Sequence, residues 1–125
     1  MKFSDFLNKS RENKGLSFRQ LESHSDGLDH AYIYRLSKGK KTSPSKETVH
    51  KLAKALELTK RELEVFNLLS GQDVDDSLVA VMIDNAAIGW EVLEAAATMS
   101  NRGKRPTTET EWLAYVKKIE SLFDE

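Results

Sequence analysis

The side chains best equipped for chemistry fall in one stretch, residues 29–41. His30, Tyr34, Arg35 and Lys38 share one side of the helix that this stretch would form, with Ile33 and Leu36 on the other. The first group is long, hydrogen-bonding and mostly cationic. A two-turn helix with one dry side and one basic side has the size of a DNA major groove and groups that can meet base edges there. The same pattern also describes an ordinary surface helix with a solvated charged face. The stretch alone does not separate the two, so its neighbours decide.

Those neighbours read as short helices with tight connections. Asp29 can cap the start of the stretch by accepting a backbone N–H bond, and Gly39 can take the left-handed conformation that ends it. Before it, Ser17 and Gln20 form a capping box, with Phe18 and Leu21 as a narrow apolar stripe. Asp26, Gly27 and Leu28 are a turn signal. Helix, turn and helix thus occupy residues 18–37. A first helix, capped by Ser4, runs to about Lys14 with Phe3, Phe6 and Leu7 apolar, and Gly15 closes it. Residues 40–43 are a polar connector. Pro44 and Ser45 then open a fourth helix over residues 46–58, with Val49, Leu52, Ala53 and Leu56 at helical spacing. Thr59 and Glu62 are a second capping box, opening a fifth helix with Leu63, Phe66 and Leu69 on one face, closed by Gly71.

Taken in order, three runs carry a family likeness: Gly15-Leu16-Ser17-Phe18-Arg19-Gln20-Leu21, then Ala31-Tyr32-Ile33-Tyr34-Arg35-Leu36-Ser37-Lys38-Gly39, then Pro44 to Val49 with Leu52-Ala53-Lys54-Ala55-Leu56. Over roughly residues 4–70 the chain resembles the phage-repressor/Cro (Xre) helix-turn-helix proteins. It departs from them at Glu22, where the family usually has a small residue, at the turn 26–28, which is a residue longer, and at Ser37, where the family often has Glu. The resemblance implies a five-helix lambda-repressor-like domain over residues 1–71, and the patterning of residues 72–125 adds about three further helices, for an all-α fold. It also implies that His30, Ala31, Tyr34 and Arg35 face base edges. Arg35 has the fork for guanine O6 and N7, and Ala31 can pack on a thymine methyl. Ser17 and Arg19 resemble the family's phosphate clamp at a helix N-terminus. Lys38, Lys40, Lys41, Thr42 and Ser43 would hold the backbone beyond the recognition helix. For Tyr32, core and contact remain open, and Lys40 and Lys41 can also be merely solvated.

The formal net charge of −1 hides an uneven distribution. Residues 1–70 hold 14 Lys and Arg against 9 Asp and Glu, whereas residues 71–125 hold 5 against 11. Between Arg35 and Lys54 there are seven cations and one anion, Glu47. This asymmetry predicts one basic working face and an acidic remainder that stays off phosphate.

In the second half, the aspartates of residues 72–77 resemble a calcium loop only in part, because its glycine and distant glutamate are missing; helix capping is the expected role. Helical patterning resumes with Leu78, Val79, Met82 and Ile83, then over residues 86–99, with Gly89 marking close packing or a break. Residues 101–106 are a basic turn. Thr108 and Glu111 open a last helix, on which Trp112, Val116, Ile119 and Phe123 fall at steps of four, three and four, a heptad-like seam. A stripe this wide needs a cover. A second copy of the chain is the expected one, making these four residues a dimer interface. The alternative is that the helices pack on each other or on the first domain.

Enzyme signatures are lacking: there is no nucleophile elbow, phosphate loop or metal-ligand spacing among His24, His30 and His50, and no Cys. No metal and no cofactor are expected. No apolar run reaches the roughly 20 residues of a membrane span, and the first residues have no signal-peptide core, which predicts a cytoplasmic protein with no membrane partner. The sequence therefore predicts a sequence-specific regulator, a repressor, binding double-stranded DNA as a homodimer. The alternative is an antitoxin-like module whose acidic half neutralises a partner protein.

Overall fold

Eight helices follow one another in the computed structural model, which describes residues 1–40, 43–99 and 105–123, and no strand occurs among these residues. They divide into two units, residues 1–73 and 74–125.

The first unit holds α1 (Phe3–Lys14), α2 (Phe18–His24), α3 (His30–Ser37), α4 (Lys46–Ala55) and α5 (Lys60–Leu69). Ser17 caps α2 as expected: its hydroxyl accepts from the Gln20 N–H at 3.1 Å, while Gln20 Oε1 accepts from the Ser17 N–H at 2.7 Å. Thr59 and Glu62 repeat this exchange at α5. The first helix departs from expectation at its start. Lys2 rather than Ser4 is the capping position, because Asp5 reaches back to accept the Lys2 N–H at 3.0 Å and draws Phe3 and Ser4 into the helix. The fourth helix ends at Ala55, short of Leu58. Glu57 takes φ +54°, and the Leu58 N–H turns back to the Ala53 carbonyl.

The apolar faces meet in a common core. Phe3 and Phe6 of α1 lie against Phe66 of α5, at centroid distances of 4.3 and 5.4 Å. Leu7, Leu21, Ile33, Leu36, Val49, Leu52, Leu56, Val65 and Leu69 complete it, all buried. Leu63 is only half-buried, and Val65 takes the inward place instead. Burial of each such side chain contributes about 1.5–3 kcal/mol. α3 is thereby packed against α1 and α2 through its dry side. Lys2 pairs with Asp73 at 3.0 Å, and that hydrogen bond and charge hold the Lys2 ammonium above its usual range.

The second unit holds α6 (Asp76–Asp84), α7 (Trp90–Met99) and α8 (Glu109–Phe123). Gly89 precedes α7, so it marks a break. α8 packs on both other helices. Trp112, Val116 and Ile119 are buried in this unit's own core with Leu78, Met82, Val92 and Leu93. The Trp112 indole donates to Ser77 Oγ at 3.0 Å, which satisfies its N–H. Phe123, at the end of the same seam, stays 53% exposed beside Leu122 at 70%. Two of the linker aspartates, Asp73 and Asp75, pair rather than cap. Asp73 meets Lys2 and Asp75 meets Arg105 at 3.5 Å, and Asp75 makes no side-chain cap to α6. No described helix is long and apolar enough to cross a membrane.

Candidate nucleic-acid interface

The short third helix is held at both ends. Asp29 Oδ1 accepts from the Ala31 N–H at 3.4 Å, and the Asn8 amide on α1 donates to the Ser37 carbonyl at 2.8 Å. After Ser37 the chain turns through Gly39 at φ +71°. The Gly39 N–H meets the Leu36 carbonyl, and the Lys40 N–H meets the Arg35 carbonyl at 3.0 Å. These two bonds are the pattern of a left-handed helix end, which fixes where Lys40 leaves the helix. The preceding turn takes two positive φ values, +54° at Asp26 and +95° at Gly27.

With Ile33 and Leu36 buried, the outer side of α3 presents Tyr34, Arg35 and Lys38 to solvent. Tyr34 is 46% exposed, and its ring meets that of Phe18 edge-on at 5.4 Å. Two cations flank this aromatic pair. The Arg11 guanidinium lies 4.4 Å from the Phe18 ring centre, and Lys38 Nζ lies 5.3 Å from that of Tyr34. Arg11 is tied down further by donating to the Leu16 carbonyl at 2.9 Å. A ladder of Arg11, Phe18, Tyr34 and Lys38 thus joins α1, α2 and α3 at the edge of the basic surface. Sequence reasoning missed Arg11 and Phe18 as parts of this surface, because ring contacts between separate helices leave no periodic signal.

His30 and Ala31 are half-buried at the start of α3. His30 Nδ1 lies 3.0 Å from Glu22 Oε1 on α2 and 3.4 Å from Asp29 Oδ1. These are the one set of three such groups, among the described residues, close enough to one another to share a cation, all within 4.8 Å. The atoms that face one another, His30 Nδ1, Glu22 Oε1 and Asp29 Oδ1, are already in mutual contact. Tyr32 is half-buried, between core and contact.

Around the helix, Ser17 and Arg19 are exposed on either side of Phe18, so the start of α2 borders the same surface. Lys40 and Ser43 are exposed, Ser43 at φ +53°. Lys41 and Thr42 lie outside the described residues. Among the described residues, no carboxylate pairs with Arg19, Arg35, Lys38 or Lys40. Elsewhere cations do find partners, as Lys51 does with Glu47 at 3.3 Å. The charge on this face is therefore available to an external anion.

Comparison with known proteins agrees with this architecture. No curated protein matches the chain in sequence. The sequence profile of a helix-turn-helix domain matches residues 2–66, just over half of the chain and nearly the whole of the first unit. The chain belongs to this helix-turn-helix domain family.

Proposed function

We propose that the protein is a sequence-specific transcriptional regulator of the phage-repressor/Cro type, which binds double-stranded DNA and represses by occupying a two-fold operator as a homodimer in the cytoplasm. The observation that carries this reading is the outer side of α3, where Arg35 is exposed between Tyr34 and Lys38 with no carboxylate partner among the described residues. An unpaired guanidinium on the solvent side of a short helix can enter a major groove and take guanine by O6 and N7. His30, Ala31 and Tyr34 would meet neighbouring base edges. Ser17, Arg19, Lys38, Lys40, Lys41, Thr42 and Ser43 would set the register on phosphate, which supplies affinity without sequence preference. Ser17 already satisfies the Gln20 N–H, so its share would come through the exposed start of α2.

Selection of binding sites from random duplex DNA with the purified chain tests this. The expected result is an enriched motif with a guanine whose preference depends on Arg35. Retention of all sequences alike, or of none, would overturn it.

A further inference from the structure

The Glu22 carboxylate on α2 reaches His30 on α3 across the turn, Oε1 lying 3.0 Å from Nδ1. An ionised carboxylate can only accept hydrogen bonds. The 3.0 Å contact therefore requires the proton to sit on His30 Nδ1, and Asp29 Oδ1 at 3.4 Å is a second acceptor for the same nitrogen. A neutral imidazole carries one donor and one acceptor nitrogen, so fixing Nδ1 as the donor makes Nε2 the acceptor. Nε2 has no partner among the described residues and is not sealed from solvent. His30 is also the first residue of α3, the end at which recognition helices meet base edges.

We propose that Glu22 is a specificity-determining positioning residue: by holding the Nδ1 proton of His30, it turns Nε2 into an outward acceptor that selects an amino-bearing base, adenine or cytosine, at one operator position. In the major groove only adenine N6 and cytosine N4 offer donors, whereas guanine O6 and N7 and thymine O4 are acceptors that would face the Nε2 lone pair. The inference rests on the reading of α3 as the base-reading helix.

The test has two parts, both at mildly alkaline pH. Imidazole nitrogen spectra of the free, full-length protein report the tautomer without any DNA. His30 is expected in the Nδ1–H form, and in Glu22→Ala it should revert towards the Nε2–H form common in free histidine. Site selection with the wild type, Glu22→Ala and His30→Ala reports the base. An adenine or cytosine preference of about tenfold at one position should be lost in both variants, while the guanine preference that depends on Arg35 stays. An Nε2–H ring in the wild type overturns the proposal. So does an unchanged preference in either variant. A correct tautomer in a chain that enriches no site would instead fail the reading of α3, and the inference with it. If Glu22→Ala does not fold, the wild-type spectrum and His30→Ala still decide.

Discussion

Phe18 on α2 and Tyr34 on α3 meet edge to face, their ring centres 5.4 Å apart and their planes at 80°. The contact crosses the two helices of the helix-turn-helix at its outer edge, and a cation closes each end. Tyr34 therefore leaves the core with a restricted ring, which lowers the ordering cost of a base contact. Phe18→Ala should lower the stability of the first unit by about 1–3 kcal/mol, since the ring is half-buried. It should also weaken specific DNA more than random DNA, because Tyr34 loses its support. Chemical denaturation and competition binding measure the two effects. Equal losses on both DNAs would remove Tyr34 from base reading.

Arg35→Ala separates base reading from phosphate binding. A bidentate guanine contact is worth about 1–3 kcal/mol and acts at one operator position. Selection with the variant should lose the guanine there and keep the rest of the motif. A uniform loss across all sequences would reassign Arg35 to the backbone.

Lys40, exposed past the end of α3, and its neighbour in sequence Lys41 make a different prediction. Lys40→Ala combined with Lys41→Ala should weaken binding to every sequence and reduce the slope of log affinity against log salt by roughly 1 to 2. Titrations at several salt concentrations read this directly. An unchanged slope would place these lysines away from phosphate.

Much of this was legible in the sequence for physical reasons. Ser17, Asp29, Ser45 and Thr59 each announce a helix start, and each accepts a backbone N–H as its type predicts. Gly15, Gly27 and Gly39 mark turns that take positive φ. The misreadings have causes of a different kind. The fourth helix ends early through Glu57, a residue type that gives no left-handed signal. Lys2 displaces Ser4 as the first cap because Asp5 supplies the acceptor. The Glu22–His30 contact spans eight residues across a turn, a spacing that no helical period reveals. Heptad spacing on α8 cannot tell a partner's surface from the unit's own core, and Trp112, Val116 and Ile119 are in the latter.

Glu57 carries a prediction of its own. A non-glycine residue in the left-handed region is strained by roughly 1–2 kcal/mol, whereas glycine adopts it freely at some cost in unfolded-chain entropy. Glu57 is exposed, so its side chain is not needed for packing. Glu57→Gly should raise the stability of the first unit by about 0.5–1 kcal/mol, visible as a higher thermal midpoint. A lower midpoint would mean that the entropy term wins.

The last prediction concerns the proposed binding of two half-sites by a dimer. One recognition helix touches few base pairs, so discrimination in a genome calls for two, with half-sites about 10 base pairs or a multiple apart. Pairing two chains needs a self-complementary apolar surface. In the second unit the seam is divided between inside and outside. Trp112 is 1% exposed, Val116 and Ile119 are buried, and Leu122 and Phe123 remain open at the end of α8. Trp112→Ala should therefore unfold the second unit, at about 3–5 kcal/mol. Its effect on assembly would be indirect, as the seam loses its support. Leu122→Glu with Phe123→Glu should leave the helices folded, because both side chains are already in solvent, yet place like charges across any two-fold contact. Sedimentation equilibrium should find the wild type dimeric, and both this variant and a chain ending at Gly71 monomeric. The double variant should also lose the binding gain that a two-half-site operator gives over a single half-site. A monomeric wild type at micromolar concentration would sink the dimer, and a dimeric chain ending at Gly71 would sink its placement on α8. A monomer that instead retains a stoichiometric foreign protein through α8 would turn the reading towards the antitoxin-like module.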